Sequence, residues 1–273
     1  MQPRLSVVTT VYNGERYFDR GPAGILAQTY RDFEYIIVDD GSTDRTPEML
    51  RELARNDDRV KLFFPGRLGI TGAANYGVSQ AQGEYIARQD FDDRSYPERL
   101  KLQVALLDAR PELGVVGGHY YLIDETRGER YVRMPPTDHE SLVTAMAKSI
   151  IYANTTVMFR RRVWSEAGGY PDVNDLEDQL LWLSAAKLGW RFGTVPEVVG
   201  EHYVHPTSFF HRMFNYTDRQ RNLARVQARF IRELSLPKWM YLFVLGRYVY
   251  AYSPTGLKRI FRRNLAGTLE QDQ

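Results

Sequence analysis

Three polar clusters hold most of the residues that could do chemistry, and each follows a short apolar run. Thr9-Thr10-Val11-Tyr12-Asn13 closes the run that begins at Leu5, Asp39-Asp40-Gly41-Ser42 closes Phe33–Val38, and Asp90-Phe91-Asp92-Asp93 follows Tyr85–Ala87. Carboxylates at strand ends can serve a nucleotide in two ways. One accepts hydrogen bonds from a base N–H or from ribose hydroxyls; another holds a divalent cation that bridges diphosphate oxygens. Mg²⁺ and Mn²⁺ favour carboxylate and water ligands. The three acids around Phe91 repel one another, so something cationic should compensate them. Plainer readings stand beside these: a tight turn with a helix cap at 39–42, a solvated strand end at 90–93, and turn chemistry at 9–13.

Glu177-Asp178 is a further acidic pair. A carboxylate here could take the proton of an attacking hydroxyl, provided its neighbours raise its pKa toward neutrality. The alternative is a helix N-terminus, where the dipole favours acids. His202 and His205 are two of five histidines, spaced by three. They could serve a metal, or pack as structural residues beside aromatics.

The elements that must position these groups are legible as alternating strands and helices. Leu5–Val11, Phe33–Val38, Val60–Phe64, Tyr85–Ala87 and Val115–Ile123 read as strands. Thr46 and Pro47 suit an N-cap and first helical residue, with Met49, Leu50, Leu53 and Ala54 following at helical spacing. Gly72–Gln82, Pro97–Ala109 and Asp178–Leu188 read as helices. Segment 15–30 should be the first crossover, with a break near Arg20 where Gly21-Pro22-Ala23-Gly24 intervenes. The pattern predicts an α/β fold with a mostly parallel central sheet flanked by helices, whose ligands gather at the carboxyl ends of the strands.

The chain of 273 residues is 43% hydrophobic and 26% charged, as ordinary globular proteins are. It has no cysteine, which excludes disulfides and thiolate metal sites. No signal peptide is expected, and no run approaches the roughly 20 apolar residues of a spanning helix. Charge is uneven along the chain. Residues 208–263 carry 12 Lys and Arg against two acids, Asp218 and Glu233, whereas residues 1–207 carry 24 against 30.

In order and spacing the clusters resemble inverting glycosyltransferase family 2, which has the GT-A fold. The resemblance covers residues 5–207. It rests on Val7–Asn13, Gln28-Thr29-Tyr30, Asp39–Asp44, Gly69–Gly77, and Gly83-Glu84-Tyr85-Ile86 leading to Asp90–Asp93. Gly168-Gly169-Tyr170, Glu177-Asp178 with Leu181-Trp182, and His205-Pro206-Thr207-Ser208 continue it. It implies a catalytic domain at 1–207 and a helical, basic and aromatic extension at 208–273.

By residue, the resemblance implies that Asp39 binds the base or ribose of a nucleotide-sugar donor, with Thr10, Tyr12 and Glu15 flanking that pocket. Asp90 faces the ribose or donor sugar. Asp92 holds a Mn²⁺ or Mg²⁺ ion, with Asp93 in support and His205 touching metal or diphosphate. Asp178 is the general base and Glu177 orients it or meets the acceptor. Arg67 stands at the pocket where Asn is common, Ala74 where Arg or Leu is frequent, and Tyr203 where Arg is frequent. Phe91 replaces a small residue and is expected to narrow the donor pocket. The implied reaction moves a sugar, with inversion, from a UDP-sugar by preference to a glycan or lipid-linked acceptor. The rival readings are a sugar nucleotidyltransferase, whose Gly-rich basic signature Asn13-Gly14-Glu15-Arg16 does not supply, and a silent nucleotide-sugar-binding or scaffold module.

In the tail, Leu223, Val226, Phe230, Ile231 and Leu234 share one helical face, and an aromatic, apolar segment from Pro237 to Tyr252 precedes Lys258-Arg259 and Arg262-Arg263. Residues 209–263 therefore suit the surface of a membrane. Packing on the catalytic body or an oligomer contact is the alternative. Nucleic acid is not expected, because the aromatics cluster with aliphatics. The expected location is cytoplasmic, peripheral on the inner face of a membrane.

Overall fold

In the computed structural model the described residues are 2–173, 175–206, 216–253 and 270–271. β1 (Leu5–Val11), β2 (Phe33–Asp39), β3 (Val60–Phe63) and β4 (Tyr85–Arg88) form a parallel array ordered β3-β2-β1-β4. Period-two alternation lets each strand supply two cores. Leu5, Val7, Tyr35 and Ile37 face one layer, while Val8, Ile36 and Val38 face the other. α2 (Thr46–Asn56), α3 (Gly69–Ser79) and α4 (Arg99–Ala109) are the flanking helices.

The other half of the sheet is mixed. β8 (Met158–Arg160) pairs antiparallel with β4 and with β6 (Leu113–Asp124). β6 runs parallel to β9 (Arg191–Val204) and antiparallel to β7 (Glu129–Arg133), and the short β5 (Arg94–Ser95) pairs antiparallel with β9. The α/β class and flanking helices are as expected, but the parallel pairing holds only for β1–β4 and for β6 with β9. The physical reason is the connection. β6 and β7 are joined by a tight turn at 125–128, and a turn that short can only return a strand antiparallel.

The first crossover breaks where expected. A 3₁₀ turn at Glu15–Tyr17 gives way at Arg20 to α1 (Gly21–Leu26). The glycines have a packing reason. A Cβ on Gly21 would lie 2.5 Å from the Phe91 carbonyl oxygen, and one on Gly24 would lie 3.0 Å from the Ser95 nitrogen. α1 thus lies directly against the acidic turn. Thr46 is not a cap: it is the first helical residue, and its hydroxyl accepts a hydrogen bond from the Gly14 amide at 2.8 Å.

α5 (His139–Met146), α6 (Arg161–Ala167) and α7 (Glu177–Lys187) complete the body. α8 (Tyr216–Glu233) then lays Leu223, Ala224, Val226, Phe230 and Ile231 into the same core as Trp182 of α7. α9 (Tyr241–Tyr252) packs on α8, held by the buried Arg247, which donates to Gln227 Oε1, Gln220 Oε1 and the Lys148 carbonyl. Residues 209–215 and 254–263 of the expected membrane segment lie outside the described residues.

Candidate active site

The carboxyl edges of β1, β2 and β4 lie side by side, since Val11 registers with Asp39 and Val8 with Arg88. Asp39 at the end of β2 is 2% exposed. Its Oδ1 accepts from the Ser42 amide at 2.7 Å, while Oδ2 is buried with no hydrogen-bond partner. A buried carboxylate oxygen left this way is an acceptor suited to a ligand N–H or hydroxyl. Asp40 serves structure: Oδ1 accepts from the Leu68 and Gly69 amides at the start of α3, and Oδ2 lies 3.2 Å from Arg67.

Thr10 is half-buried one residue before the end of β1, and Tyr12 lies exposed just beyond it. The Arg67 guanidinium stacks 3.8 Å over the Tyr12 ring, so the two form one wall of the same edge. Glu15 behaves differently. Its Oε2 accepts from the Arg45 amide and its own amide donates to Asp44, which ties it to the loop before α2.

At the end of β4 the acids diverge. Asp90 sits beside the buried Arg88, whose Nη2 lies 4.0 Å from Asp90 Oδ1, and beside Asn154 at 3.4 Å. Burial raises the Asp90 carboxyl despite the Arg88 charge. Asp92 Oδ2 lies 2.7 Å from His205 Nε2, and His205 Nδ1 lies 3.2 Å from the Tyr17 hydroxyl. Asp93 turns away into the protein. It is 0% exposed, with Oδ1 accepting from the Tyr203 amide at 2.7 Å and Oδ2 at 2.8 Å from His202 Nδ1. Burial raises the Asp93 carboxyl. Burial alone would lower the His202 imidazole, but the Asp93 charge outweighs it and the net direction is up. One proton shared across that contact satisfies both.

Phe91 does not enter a donor pocket. It is 5% exposed and packs edge-on against Phe18, beneath the turn after β1. The turn that carries these acids is fastened from below by a network the sequence reading missed. Gln89 Nε2 donates to the Asp90 and Asp93 carbonyls. The buried Arg99 donates to Gln89 Oε1, Ser95 Oγ and the Arg88 and Val157 carbonyls. Arg20 adds a clamp from the side. Its guanidinium lies 4.0 Å over the Tyr203 ring, donates to Glu125 at 2.6 Å and reaches the Asp92 carbonyl at 3.5 Å.

Glu177 and Asp178 open α7, after Leu176 adopts a left-handed backbone (φ 61°). Their loop is fastened to α3, where Thr71 donates to the Val173 carbonyl and Asn75 bonds both backbone groups of Tyr170. Arg88 lies 6.0 Å from the Tyr170 ring centroid, which brings this loop to the end of β4. Burial raises both carboxyls. Glu177 is raised further by Asp178, and Asp178 by Asp90 and Asp175, against hydrogen bonds from the Gln179 amide and side chain. Asp178 has no cationic partner within ion-pair distance among the described residues. An acid in that state holds its proton up to higher pH than usual, as a general base must.

A divalent cation suits the donor set at Asp92 and His205, one carboxylate and one imidazole brought within 2.7 Å of each other. Among the described residues no group of three such side chains could hold an ion alone. Protein would therefore fill at most part of the coordination shell, as is usual where substrate phosphates fill the rest.

The glycosyl transferase family 2 model matches residues 6–168. The chain belongs to glycosyltransferase family 2. EpsE of Bacillus subtilis (strain 168), named for glycosyl transfer, is 32% identical over 266 residues, which are 96% of this chain and 94% of EpsE. WbnJ of Escherichia coli, an O-antigen biosynthesis glycosyltransferase, is 32% identical over 180 residues, 66% of this chain and 70% of WbnJ. Among solved structures, S. aureus TarS (residues 1–349) with UDP-GlcNAc superposes with a TM-score of 0.68 at 19% identity, covering 93% of this chain and 82% of that one. The mannosyltransferase PcManGT of Pyrobaculum calidifontis, with GDP-Man and Mn²⁺, gives 0.65 at 22% identity, covering 97% and 80%. The fold is GT-A, and this family 2 glycosyltransferase carries its nucleotide-sugar-binding sheet.

Proposed function

We propose that this glycosyltransferase is an inverting enzyme that takes a sugar from a UDP-sugar and gives it to a hydroxyl of a glycan or lipid-linked acceptor. The observation that carries the reading is the edge itself. The unpartnered Asp39 oxygen stands at the end of β2, the Asp92–His205 pair just beyond β4, and Asp178 near enough for Asp90 to raise its carboxyl, which supports one site along that edge. Asp39 receives an N–H of the base or a ribose hydroxyl, and Thr10, Tyr12 and Arg67 wall the nucleotide. Glu15 supports them through the loop before α2. Asp90 faces the donor sugar or ribose.

Asp92 and His205 would hold Mn²⁺ or Mg²⁺, which when bound stabilises charge on the leaving diphosphate. Asp93 acts one step back, through His202 and the Tyr203 amide that aim β9 at the cleft. Asp178 takes the acceptor proton as the hydroxyl oxygen bonds to the anomeric carbon. The bond from that carbon to the diphosphate oxygen breaks on the opposite face, and its electron pair leaves with the nucleotide. Glu177, the more proton-retaining neighbour, stays neutral and orients the acceptor. One base without a covalent intermediate inverts the anomeric carbon.

The UDP preference draws support from TarS, solved with UDP-GlcNAc, and the metal from PcManGT, solved with Mn²⁺. An O-antigen enzyme among the relatives supports a polysaccharide acceptor. The catalytic domain is 1–207 and the extension 208–273. The enzyme works in the cytoplasm, at the inner face of a membrane. No helix among the described residues is long and apolar enough to cross one.

A screen of UDP-, GDP- and dTDP-sugars with Mn²⁺ tests the reading, followed by the anomeric proton coupling of the product. Preferential stabilisation by UDP-sugars and a product of opposite anomeric configuration are expected. Retained configuration would overturn the mechanism.

A further inference from the structure

The extension divides into two helices with different surroundings. α8 spends its apolar face on the core. α9 does not: Val244, Arg247, Tyr250 and Ala251 are buried against α8 and the body, while Leu242, Leu245, Val249 and Tyr252 on the opposite side are 67%, 59%, 53% and 66% exposed. Those four positions fall at i, i+3, i+7 and i+10, within one stripe about 100° wide. Trp239 and Tyr241 extend it at the amino end, 55% and 40% exposed. A helix packed on one side with apolar residues bared on the other has an occupant for that side.

We infer that this stripe of α9 is the surface that meets an anionic lipid bilayer, with the helix axis in the plane of the membrane. This deepens the peripheral placement proposed above and does not depend on the transfer chemistry. Charge selects the occupant. From Ser235 to Gly267 the chain has no Asp or Glu; of its six Lys and Arg, Lys238 is exposed beside Trp239, Arg247 is buried on the other side of α9, and four follow outside the described residues. At the edge of the stripe, the Lys148 ammonium sits 5.5 Å from the Trp239 ring centroid and 5.3 Å from that of Phe243. Anionic headgroups match such a border, and Trp and Tyr at the ends of the stripe suit headgroup depth. A second copy docked by the same face would bring the Lys148 and Lys238 borders of both copies to one interface, with no Asp or Glu in either α9. Three arginines of α8 have acidic partners on their own helix. Arg229 and Arg232 already bond Glu233, and Arg221 pairs with Asp218.

The test is co-sedimentation of the full chain with vesicles of phosphatidylcholine alone or with phosphatidylglycerol added. The native chain should pellet with the anionic vesicles and release at high salt. The Leu242→Glu/Leu245→Glu/Val249→Glu variant should lose at least roughly tenfold in vesicle affinity. These side chains are exposed, so its melting temperature and its UDP affinity should match the native chain. A native chain that stays in the supernatant with both vesicle types overturns the inference. So does a triple variant that pellets as well as the native chain. A native dimer that the variant breaks, with no vesicle binding, would assign the stripe to a second copy. Loss of sugar transfer with vesicle binding intact would bear on the proposed function alone.

Discussion

Two acidic regions lie near each other, at the end of β4 and at the start of α7, and the protein gives their charge different neighbours. At the end of β4, the acids are surrounded by basic groups: Arg88 beside Asp90, His205 on Asp92 and His202 on Asp93. At the start of α7, Glu177 and Asp178 form no ion pair among the described residues; they have the Gln179 hydrogen bonds, the helix N-terminus and, for Glu177, the more distant Arg88 charge. Burial raises Asp90 and Asp93 as well, but each acid there faces a basic group that can share its proton or balance its charge. Uncompensated, recessed acids hold protons. The difference teaches that residue type alone does not assign a role. Asp90, Asp92 and Asp93 in one region, and Glu177 and Asp178 in the other, are suited to the proposed roles of cation platform and base by what each is given as a neighbour.

The largest expected effect comes from removing the base. Asp178→Asn should lower kcat by about 10²–10⁴-fold, the usual worth of general-base catalysis, with UDP affinity retained. Calorimetry with UDP alongside turnover separates these. Retained turnover would move the base to Glu177 and collapse the contrast between the two regions.

The next effect belongs to the cation platform. His205→Ala should weaken Mn²⁺ affinity by about 10–100-fold, measured by the electron paramagnetic resonance of free Mn²⁺ in the presence of UDP. Chelation should weaken UDP binding to the native chain. Asp93→Asn should cost less than His205→Ala, because Asp93 acts through His202 and β9. Equal losses would place Asp93 among the ligands.

The pH profile sharpens the same contrast. Burial first, then Asp90 and Asp175, raise the Asp178 carboxyl to about 6. A base works deprotonated, so kcat should rise with pH through that region and fall away below it. Asp175→Asn removes one negative neighbour and should move the acid limb to lower pH. Glu177 is raised to about 8, chiefly by burial and then by Asp178. A carboxyl whose folded pKa exceeds its unfolded value costs stability as pH climbs from the unfolded value to the folded one. Glu177→Gln should therefore raise the melting temperature more at pH 8 than at pH 5. A constant gain across that span would mean that Glu177 ionises normally.

The cation platform was harder to read in the sequence than the base. The strands β1 to β4 were legible because fully buried strands read as β-branched runs, and their polar endings mark the ligand edge. The break at Arg20 was legible from Gly21-Pro22, though not its cause, the approach of α1 to Phe91 and Ser95. What could not be read was long-range pairing. The family resemblance set Asp92 and His205 at one metal, but residue patterning did not, and the meeting across 113 positions is made by pairing β9 with β5 and β6. Arg88 and Arg99 were invisible for another reason. Arginine in a pattern reads as surface, yet both are buried, at 3% and 1% exposure. One signal did exist. Arg88 continues the buried run Tyr85-Ile86-Ala87 directly into the acids, where a cation was already expected. Phe91 misled because its position between two acids suggested the cleft, whereas a tight turn sends alternate side chains to opposite sides.

The smallest predicted effect tests the rim of the nucleotide edge, where neither rule of the two regions applies. Arg67 is 58% exposed at its side chain, stacks on Tyr12 and bonds the Asp40 carbonyl. It is anchored at its base and open at its face. An exposed cation–aromatic pair is worth about 0.5–1 kcal/mol, so Arg67→Ala should weaken UDP binding by roughly two- to fivefold and leave kcat unchanged. Arg67→Lys should recover part of this loss, because a point charge keeps the attraction to Asp40 but not the planar stack on Tyr12. If Arg67→Ala lowered kcat instead, the stacked pair would be reaching past the nucleotide toward the reacting diphosphate, and the basic groups serving the leaving charge would extend from His205 round to the β2 edge.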